Sequence, residues 1–146
     1  MLLWGAPGTA VFPTQNIPFD LYDPATNTCA ALLVSEPTRQ RHTATLLPDG
    51  KVLIAGGEIN GTVLDTAQIF DPAMNVRTFV HQLSTARAGH TATLLPYGKV
   101  LLAGGYYADP NQIYLSATEL YDAPTDTWSA GPALNIARRD LSLIHI

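Results

Sequence analysis

Short runs of apolar and β-branched residues alternate with turns that contain glycine and proline along most of the chain. The run Thr-Ala-Thr-Leu-Leu at 43–47 is followed by a Pro-Asp-Gly turn and a nearly all-apolar run at 51–55, which together predict a β-hairpin. Because the return strand lacks polar alternation, we expect it to be buried on both faces. The pair Gly56-Gly57 then ends the strand where the backbone turns or packs closely.

The hairpin pattern occurs a second time. The run His-Thr-Ala-Thr-Leu-Leu begins at His42 and again at His90, and a second double glycine follows at Gly104-Gly105. Both intervals are 48 residues, from 90 − 42 and from 104 − 56. A period near fifty residues with a double glycine is typical of a radial array of four-stranded sheets.

Two further strands are predicted in each copy. The third strand ends in an aromatic residue followed by aspartate, and its aromatic positions are Tyr22, Phe70 and Tyr121. These intervals are 48 and 51 residues (70 − 22 and 121 − 70), and the three extra residues fit a longer loop around Tyr106 to Leu115. An outer fourth strand is predicted at Thr28 to Leu32, Val76 to Val80 and Thr127 to Ala130.

This layout resembles the kelch-repeat family, through the His-Thr-Ala-Thr-Leu-Leu strand, the double glycine, the Tyr-Asp-Pro turn and Trp128, six residues after Asp122. The tryptophan position holds Cys29 in the first copy and Arg77 in the second, where we expect Phe79 to fill the space instead. The resemblance implies an all-β fold, a kelch-type β-propeller piece of about two and a half four-stranded blades within 1–140. The expected blades are 1–33 (partial), 42–80 and 90–130.

Both ends of the chain depart from the repeat. Leu2-Leu3-Trp4-Gly5 aligns with 53–56, so we expect the first blade to lack its innermost strand. Residues 141–146 replace a predicted His-Thr-Ala-Thr run and are expected to be a non-native tail, with a divergent strand as the alternative. A ring normally needs four to eight blades, so we expect a fragment whose remaining blades lie outside the chain.

Composition narrows the partners. The chain has 146 residues, 47% apolar and 14% charged, with a net charge of −4, which argues against nucleic acid or an anionic membrane surface as partner. No apolar run approaches the roughly 20 residues that span a bilayer. The single cysteine, Cys29, leaves the redox compartment open.

Three arginines share one phase of the repeat: Arg39, Arg87 and, after the longer interval, Arg138. At one mouth of a propeller channel they would form a partial cationic ring suited to a carboxylate or phosphate. The alternative is a brace, in which each arginine bonds carbonyls or an aspartate of the next blade.

The lengthened loop carries a second candidate ligand site, formed by the aromatic and polar residues Tyr106, Tyr107, Asp109, Asn111 and Tyr114. They do not recur in the other copy, and aromatics beside polar groups suit sugar or peptide contacts. A solvent-covered insertion is the alternative. Asn60-Gly61-Thr62 fits a glycosylation acceptor, but we favour a tight turn there in a chain expected to be bacterial.

Other polar positions are expected to be structural because they recur. His42 and His90 would begin inner strands and bond neighbouring backbone, and Asp23, Asp71 and Asp122 would cap turns. We expect no metal site and no cofactor.

The best interpretation is a binding module for a protein or carbohydrate. The alternative is part of the propeller of a secreted carbohydrate-active enzyme, either a galactose-oxidase-like oxidase or a sugar epimerase. The thioether-linked cysteine and tyrosine that the oxidase resemblance implies would fall at Arg41 and Gly89, so we favour a non-enzymatic role. The compartment stays open, with a secreted or cell-surface location favoured.

Overall fold

The computed structural model describes residues 2–4, 19–23, 26–32, 39–107, 111 and 113–141. Within these ranges the chain is all-β: every sheet is antiparallel and no helix occurs. No segment in these ranges is a helix long and apolar enough to cross a membrane. The chain divides into two compact units, residues 1–40 and 41–146, which are described one at a time.

The first unit contains one three-stranded sheet. Its strands are β1 (Leu2–Trp4), β2 (Phe19–Asp23) and β3 (Thr28–Leu32), in the order β1-β2-β3. Leu3 pairs with Leu21, just as Leu53 pairs with Ile69 in the second unit. Leu3 therefore occupies the register position of Leu53. The sequence alignment matches Leu2 with Leu53, so the observed register differs from the predicted one by one residue. Cys29 lies exposed on β3, the outer strand that the sequence predicts.

The second unit begins with a four-stranded sheet, here called the second sheet. Its strands in spatial order are β4 (Thr43–Leu46), β5 (Val52–Ala55), β8 (Ala67–Asp71) and β9 (Val76–Val80). A small separate hairpin, β6 (Glu58–Ile59) and β7 (Thr62–Val63), lies between β5 and β8 in the chain.

The third sheet repeats this order. It consists of β10 (Thr91–Leu94), β11 (Val100–Ala103), β14 (Thr118–Asp122) and β15 (Thr127–Ala130), and the small hairpin of β12 (Tyr106–Tyr107) and β13 (Ile113–Tyr114) follows β11 in the chain. Its first strand, β10, contacts β4 of the second sheet. The predicted strands are confirmed, with boundaries that differ by at most one residue.

Local sequence explains the first hairpin of each sheet. At the turn after β4, the N–H of Leu47 donates to the carbonyl of Lys51 (2.8 Å), and Gly50 adopts a φ of 85° that glycine allows. All four residues of β5 are buried, as the unbroken apolar run predicts. The Asn60-Gly61 turn has φ angles of 50° and 78°, the two positive values of a type I′ hairpin, so the predicted tight turn is confirmed.

The hydrophobic core of the second unit crosses both sheets. It combines apolar side chains of β5, β8 and the turn after β4 with those of β11, β14 and the segment between β9 and β10: Leu47, Leu53, Ala55, Ala67, Leu83, Val100, Leu102 and Tyr121. Leu83 comes from neither sheet but from residues 81–90, which connect β9 to β10 and are here called the first crossover segment. Burial of one such leucine contributes about 1.5–3 kcal/mol, so this segment helps to join the sheets.

Each double glycine hydrogen-bonds the backbone of the crossover segment that follows its sheet. The N–H of Gly57 donates to the carbonyl of Arg87 (2.8 Å), and a Cβ on Gly56 would overlap that same carbonyl oxygen. The second copy behaves identically, because Gly105 donates to the carbonyl of Arg138 (2.9 Å) and Gly104 has no room for a Cβ. The glycines thus permit the close backbone approach that the sequence predicts.

The tryptophan position differs between the sheets. Trp128 faces Tyr121 with ring centroids 4.7 Å apart, and Arg77 faces the equivalent Phe70 with its guanidinium carbon 5.9 Å from the ring centroid. The expectation that Phe79 would fill this space is wrong. Phe79 pairs with Gln68 in the ladder and remains 66% exposed.

Candidate functional site

Arg87 is the centre of a buried joint between the second and third sheets. Its guanidinium donates to the Glu119 carboxylate (2.6 Å) and to the carbonyls of Gly104 and Ala117 (both 3.0 Å). The side chains of Arg87 and Glu119 are 0% and 3% exposed. Arg87 therefore makes the brace given above as its alternative role, although the acid is glutamate. In this arrangement its guanidinium has no surface to offer a ligand.

The other two arginines of the same phase have different surroundings. The carbonyl of Arg138 is held by Gly105 as that of Arg87 is held by Gly57, but the Arg138 side chain is exposed. Its Nε donates to the carbonyl of Ile136 at 3.3 Å. Arg39 is half-buried and belongs to the first unit. Since Arg87 is buried and Arg138 exposed, these two do not share a ligand surface. Ligand binding by Arg39 and Arg138 stays a prediction.

Further contacts of the first crossover segment complete the joint. The N–H of Ser84 donates to the second carboxylate oxygen of Glu119 (2.7 Å), and the indole N–H of Trp128 donates to the carbonyl of His81 (2.8 Å). The His81 ring lies 2.9 Å from Asp126. Burial alone would raise the pKa of Asp126, but the hydrogen bonds from His81 outweigh burial and hold this pKa below its usual value. A shallow groove of about 310 Å³ runs beside these residues.

His90 is buried at the start of β10. Its Nε2 lies 2.8 Å from the hydroxyl of Thr43, and its Nδ1 has no hydrogen-bond partner among the described residues. The expected bond to neighbouring backbone is thus replaced by a bond to a side chain on β4. Burial, assisted by the positive charge of Arg87 and by His42, lowers the pKa of His90 to about 3. The ring is therefore neutral at physiological pH.

The aspartates that end the third strands hold turns and ion pairs. Asp71 accepts hydrogen bonds from the N–H groups of Ala73 (3.0 Å) and Met74 (3.2 Å), as predicted for a turn cap. Asp122 forms an ion pair with Lys99 (3.1 Å) instead. The side chain of Asp23 lies outside the described residues. Across the described ranges, no group of three or more His, Cys, Asp and Glu side chains could hold a metal ion.

Tyr106, the first residue of β12, is buried and hydrogen-bonds Arg41 and Glu58, and we call this three-residue contact the latch. The Tyr106 side chain is 1% exposed, and its hydroxyl accepts from Arg41 Nη1 (2.6 Å) and donates to Glu58 Oε2 (2.8 Å). Burial and the bond to Glu58 raise the pKa of the Tyr106 hydroxyl. Its hydrogen bond to Tyr106 raises the pKa of Arg41. The prediction placed Tyr106 in a ligand-contacting loop, but its ring packs inward and closes the space between the two small hairpins.

The other residues of the lengthened loop are divided. Tyr107 and Tyr114 are 38% and 47% exposed on β12 and β13, as is Ile113 at 49%. Asp109 lies outside the described residues, and Asn111 is exposed. The structure therefore brings Tyr107 and Tyr114 to the surface, turns Tyr106 inward and leaves the role assigned to Asp109 a prediction.

Arg139 adds a charge to this surface that the sequence did not single out. Its guanidinium carbon lies 5.7 Å from the ring centroid of Tyr106 and 5.5 Å from that of Tyr114, both within range of a cation–π interaction. We call the set formed by the exposed Tyr107, Ile113 and Tyr114 and the half-buried Arg139 the tyrosine hairpin surface. Stacking restricts the Arg139 side chain, and its Nε lies 3.3 Å from the Asp140 carboxylate, so a guanidinium paired with Asp140 lies beside the two phenol rings.

The latch could have been found by comparing the copies. Glu58 and Tyr106 are 48 residues apart and follow their double glycines directly, so they occupy one position of the repeat. A polar side chain in both copies indicates a contact between neighbouring hairpins. Arg41 and Gly89 are also equivalent and adjacent: the N–H of Gly89 donates to the Arg41 carbonyl (3.0 Å).

No family model matches this sequence, and no curated protein matches it either.

Proposed function

We propose that the chain is part of a kelch-type β-propeller scaffold that binds a protein or carbohydrate ligand. One observation carries the scaffold: two successive four-stranded sheets have the same strand order and receive their crossover segments through the same backbone bonds at a double glycine. Such repetition, in which each sheet contacts its neighbour, is the pattern of a radial array. The sheets supply rigidity, and ligand specificity falls to the segments that differ between copies.

The segment that differs most is the β12–β13 hairpin. The hairpin after β5 closes with the two-residue Asn60-Gly61 turn, whereas residues 108–112 separate β12 from β13. Both hairpins have the same base, since Leu64 donates to Gly57 and Leu115 donates to Gly105. The extra residues are thus inserted into a hairpin whose base is bonded in the same way in both copies, and such a position suits a binding loop on a scaffold.

The chemistry of the tyrosine hairpin surface suits the proposed ligands. Tyrosine offers a large apolar ring with a polar tip at a low entropy cost, and arginine beside it can pair with carboxylates or stack on planar groups. Tyr106 fixes the base of the hairpin through Arg41 and Glu58, so little ordering is needed on binding. Sugars and peptides both exploit such surfaces.

The test is a binding screen with neutral and acidic oligosaccharides and with a displayed peptide library, followed by calorimetry on each hit. Tyr114→Ala should weaken a true ligand at least about tenfold, equal to about 1.4 kcal/mol. Tyr97→Ala is the matched control, because Tyr97 is 93% exposed in the turn between β10 and β11. Equal losses in the two variants, or no ligand in either screen, would contradict the proposal.

A further inference from the structure

The groove beside His81 lies between two described parts of the second unit. The first crossover segment forms one wall, and β15 with the turn before it forms the other. The lining residues are His81, Gln82, Ser84, Asp126, Thr127 and Trp128. The volume of about 310 Å³ is at the small end of the range of roughly 300–1,000 Å³ for small-molecule sites, so the groove fits a ligand of about one sugar ring.

Three residues of this groove contact one another and differ from their counterparts in the repeat. His81 bonds Asp126 through its ring, and the indole N–H of Trp128 donates to the His81 carbonyl. At the interval of 51 residues (132 − 81, 126 − 75 and 128 − 77), the counterparts of His81, Asp126 and Trp128 are Pro132, Asn75 and Arg77. A position that only supports the sheets is expected to recur, so a set of contacting residues that does not recur indicates a local role.

The acidic groups at the groove are already paired. The Asp126 carboxylate accepts from the His81 N–H (3.1 Å) and from the Tyr121 hydroxyl (3.0 Å), and it lies 2.9 Å from His81 Nδ1. Glu119, at the same joint, is buried against Arg87. A ligand therefore meets no unpaired carboxylate on the described walls, which favours a neutral molecule over a cation.

Neutral hydrogen-bonding groups are available along the first crossover segment. Because the Asp126 carboxylate accepts from His81 Nδ1, the proton of the neutral ring is on Nδ1, and Nε2 is an acceptor. Nε2 has no hydrogen-bond partner among the described residues, and the same holds for the Gln82 amide and the Ser84 hydroxyl. The His81 side chain is 75% exposed, and Gln82 and Ser84 are exposed. One wall thus offers both donors and acceptors to a ligand.

Trp128 supplies an aromatic surface in the same groove. Its indole is half-buried, with the N–H bonded to the His81 carbonyl (2.8 Å) and the ring centroid 4.7 Å from that of Tyr121. The ring is therefore held in place before a ligand arrives, which lowers the entropy cost of binding. A pyranose has an apolar C–H face and a rim of hydroxyls, so it matches an aromatic ring bordered by neutral donors and acceptors.

We propose that this groove binds a neutral pyranose residue, either free or at the end of a glycan. The sugar packs on Trp128, and its hydroxyls bond His81 Nε2, Gln82 and Ser84. The site is separate from the tyrosine hairpin surface, and the inference does not rest on ligand binding there. Either site can therefore fail its test while the other passes.

An NMR titration of the ¹⁵N-labelled chain with neutral monosaccharides, their methyl glycosides and short oligosaccharides tests the proposal. The indole N–H signal of Trp128 should shift on binding, and Trp4→Phe distinguishes it from the signal of the second tryptophan. A single pyranose should bind with a dissociation constant on the order of 1–10 mM, as expected for a ligand of this size. Tighter binding of the oligosaccharides identifies a glycan end as the natural ligand, and equal binding identifies the free sugar.

Gln82→Ala and Ser84→Ala should each weaken binding about three- to tenfold, and the double variant more strongly, because each removes one hydrogen bond to the sugar. Both side chains are exposed, so the fold should be unaffected. Thr78→Ala is the matched control, since it removes an exposed hydroxyl of β9 that does not line the groove. Tyr114→Ala should also leave this binding unchanged. The proposal is overturned if no neutral sugar shifts the Trp128 signal, if the double variant binds as the wild type does, or if only acidic sugars bind.

Discussion

Replacement of Arg87 by alanine should strongly destabilise the second unit, because this side chain is fully buried and paired with the buried Glu119. The substitution leaves the Glu119 carboxylate, 3% exposed, with the Ser84 N–H as its remaining described partner, and it removes a donor from two carbonyls. Breaking a buried ion pair by deleting one partner costs about 3–5 kcal/mol. At roughly 2–4 °C per kcal/mol for a chain of this size, the melting temperature should fall by roughly 6–20 °C.

Urea unfolding followed by tryptophan fluorescence is the assay, because Trp128 bonds His81 at the same joint. Arg138→Ala is the control: the residue occupies the same phase but is exposed, and its loss should cost less than about 0.5 kcal/mol when measured on dilute, monomeric protein. The double variant Arg87→Met with Glu119→Leu should be more stable than either single variant, since no buried charge is left unpaired. Equal costs for Arg87→Ala and Arg138→Ala would refute the reasoning.

Three further predictions concern the same frame. The pKa of His90 is about 3 in the folded chain and about 6.5 in the unfolded chain, so the unfolded state binds more protons between these values. The free energy of unfolding should therefore fall as the pH drops from 6.5 toward 3. Urea titrations at several pH values should show that His90→Gln flattens this slope. Gly56→Ala should lower the free energy of unfolding by at least about 2 kcal/mol, because the added Cβ would lie 2.8 Å from the His90 ring. Gly50→Ala should cost only about 1 kcal/mol for its positive φ, because no atom lies within 4 Å of the added Cβ. Tyr106→Phe should cost about 1–3 kcal/mol by leaving Glu58 without its phenol donor, and thermal melts of the variant with and without a second change, Glu58→Ala, would show the coupling.

Sequence predicted the strands well because their signals are local. A Pro-x-Gly turn, a double glycine and an aromatic-aspartate pair act within a few residues, and each copy supports the other. The type I′ turn at Asn60-Gly61 follows from the same local chemistry. Periodicity also marked Arg87 as one of a set, but a set of equivalent arginines is compatible with both a ligand ring and a brace.

Contacts between distant residues decided what the sequence left open. The Tyr106 hydroxyl meets Arg41 across 65 residues and Glu58 across 48, so its burial has no local signature. Arg87 reaches Glu119 across 32 residues, and only the packing of two sheets selects that pair. Phe79 illustrates the reverse case: its apolar character suggested burial, but it lies on β9, the outer strand of the second sheet, and is 66% exposed.

The shared base of the two small hairpins makes the stretch between Tyr107 and Ile113 a natural grafting point. The Leu115-to-Gly105 bond closes the hairpin below this stretch, and Tyr106 is anchored from beneath, so foreign segments inserted there need not alter the sheets. Each doubling of loop length adds only about 0.6 kcal/mol of closure entropy. Display libraries built at this position could therefore vary length as well as sequence, and lineages descended from this repeat could diversify there at little cost to the fold.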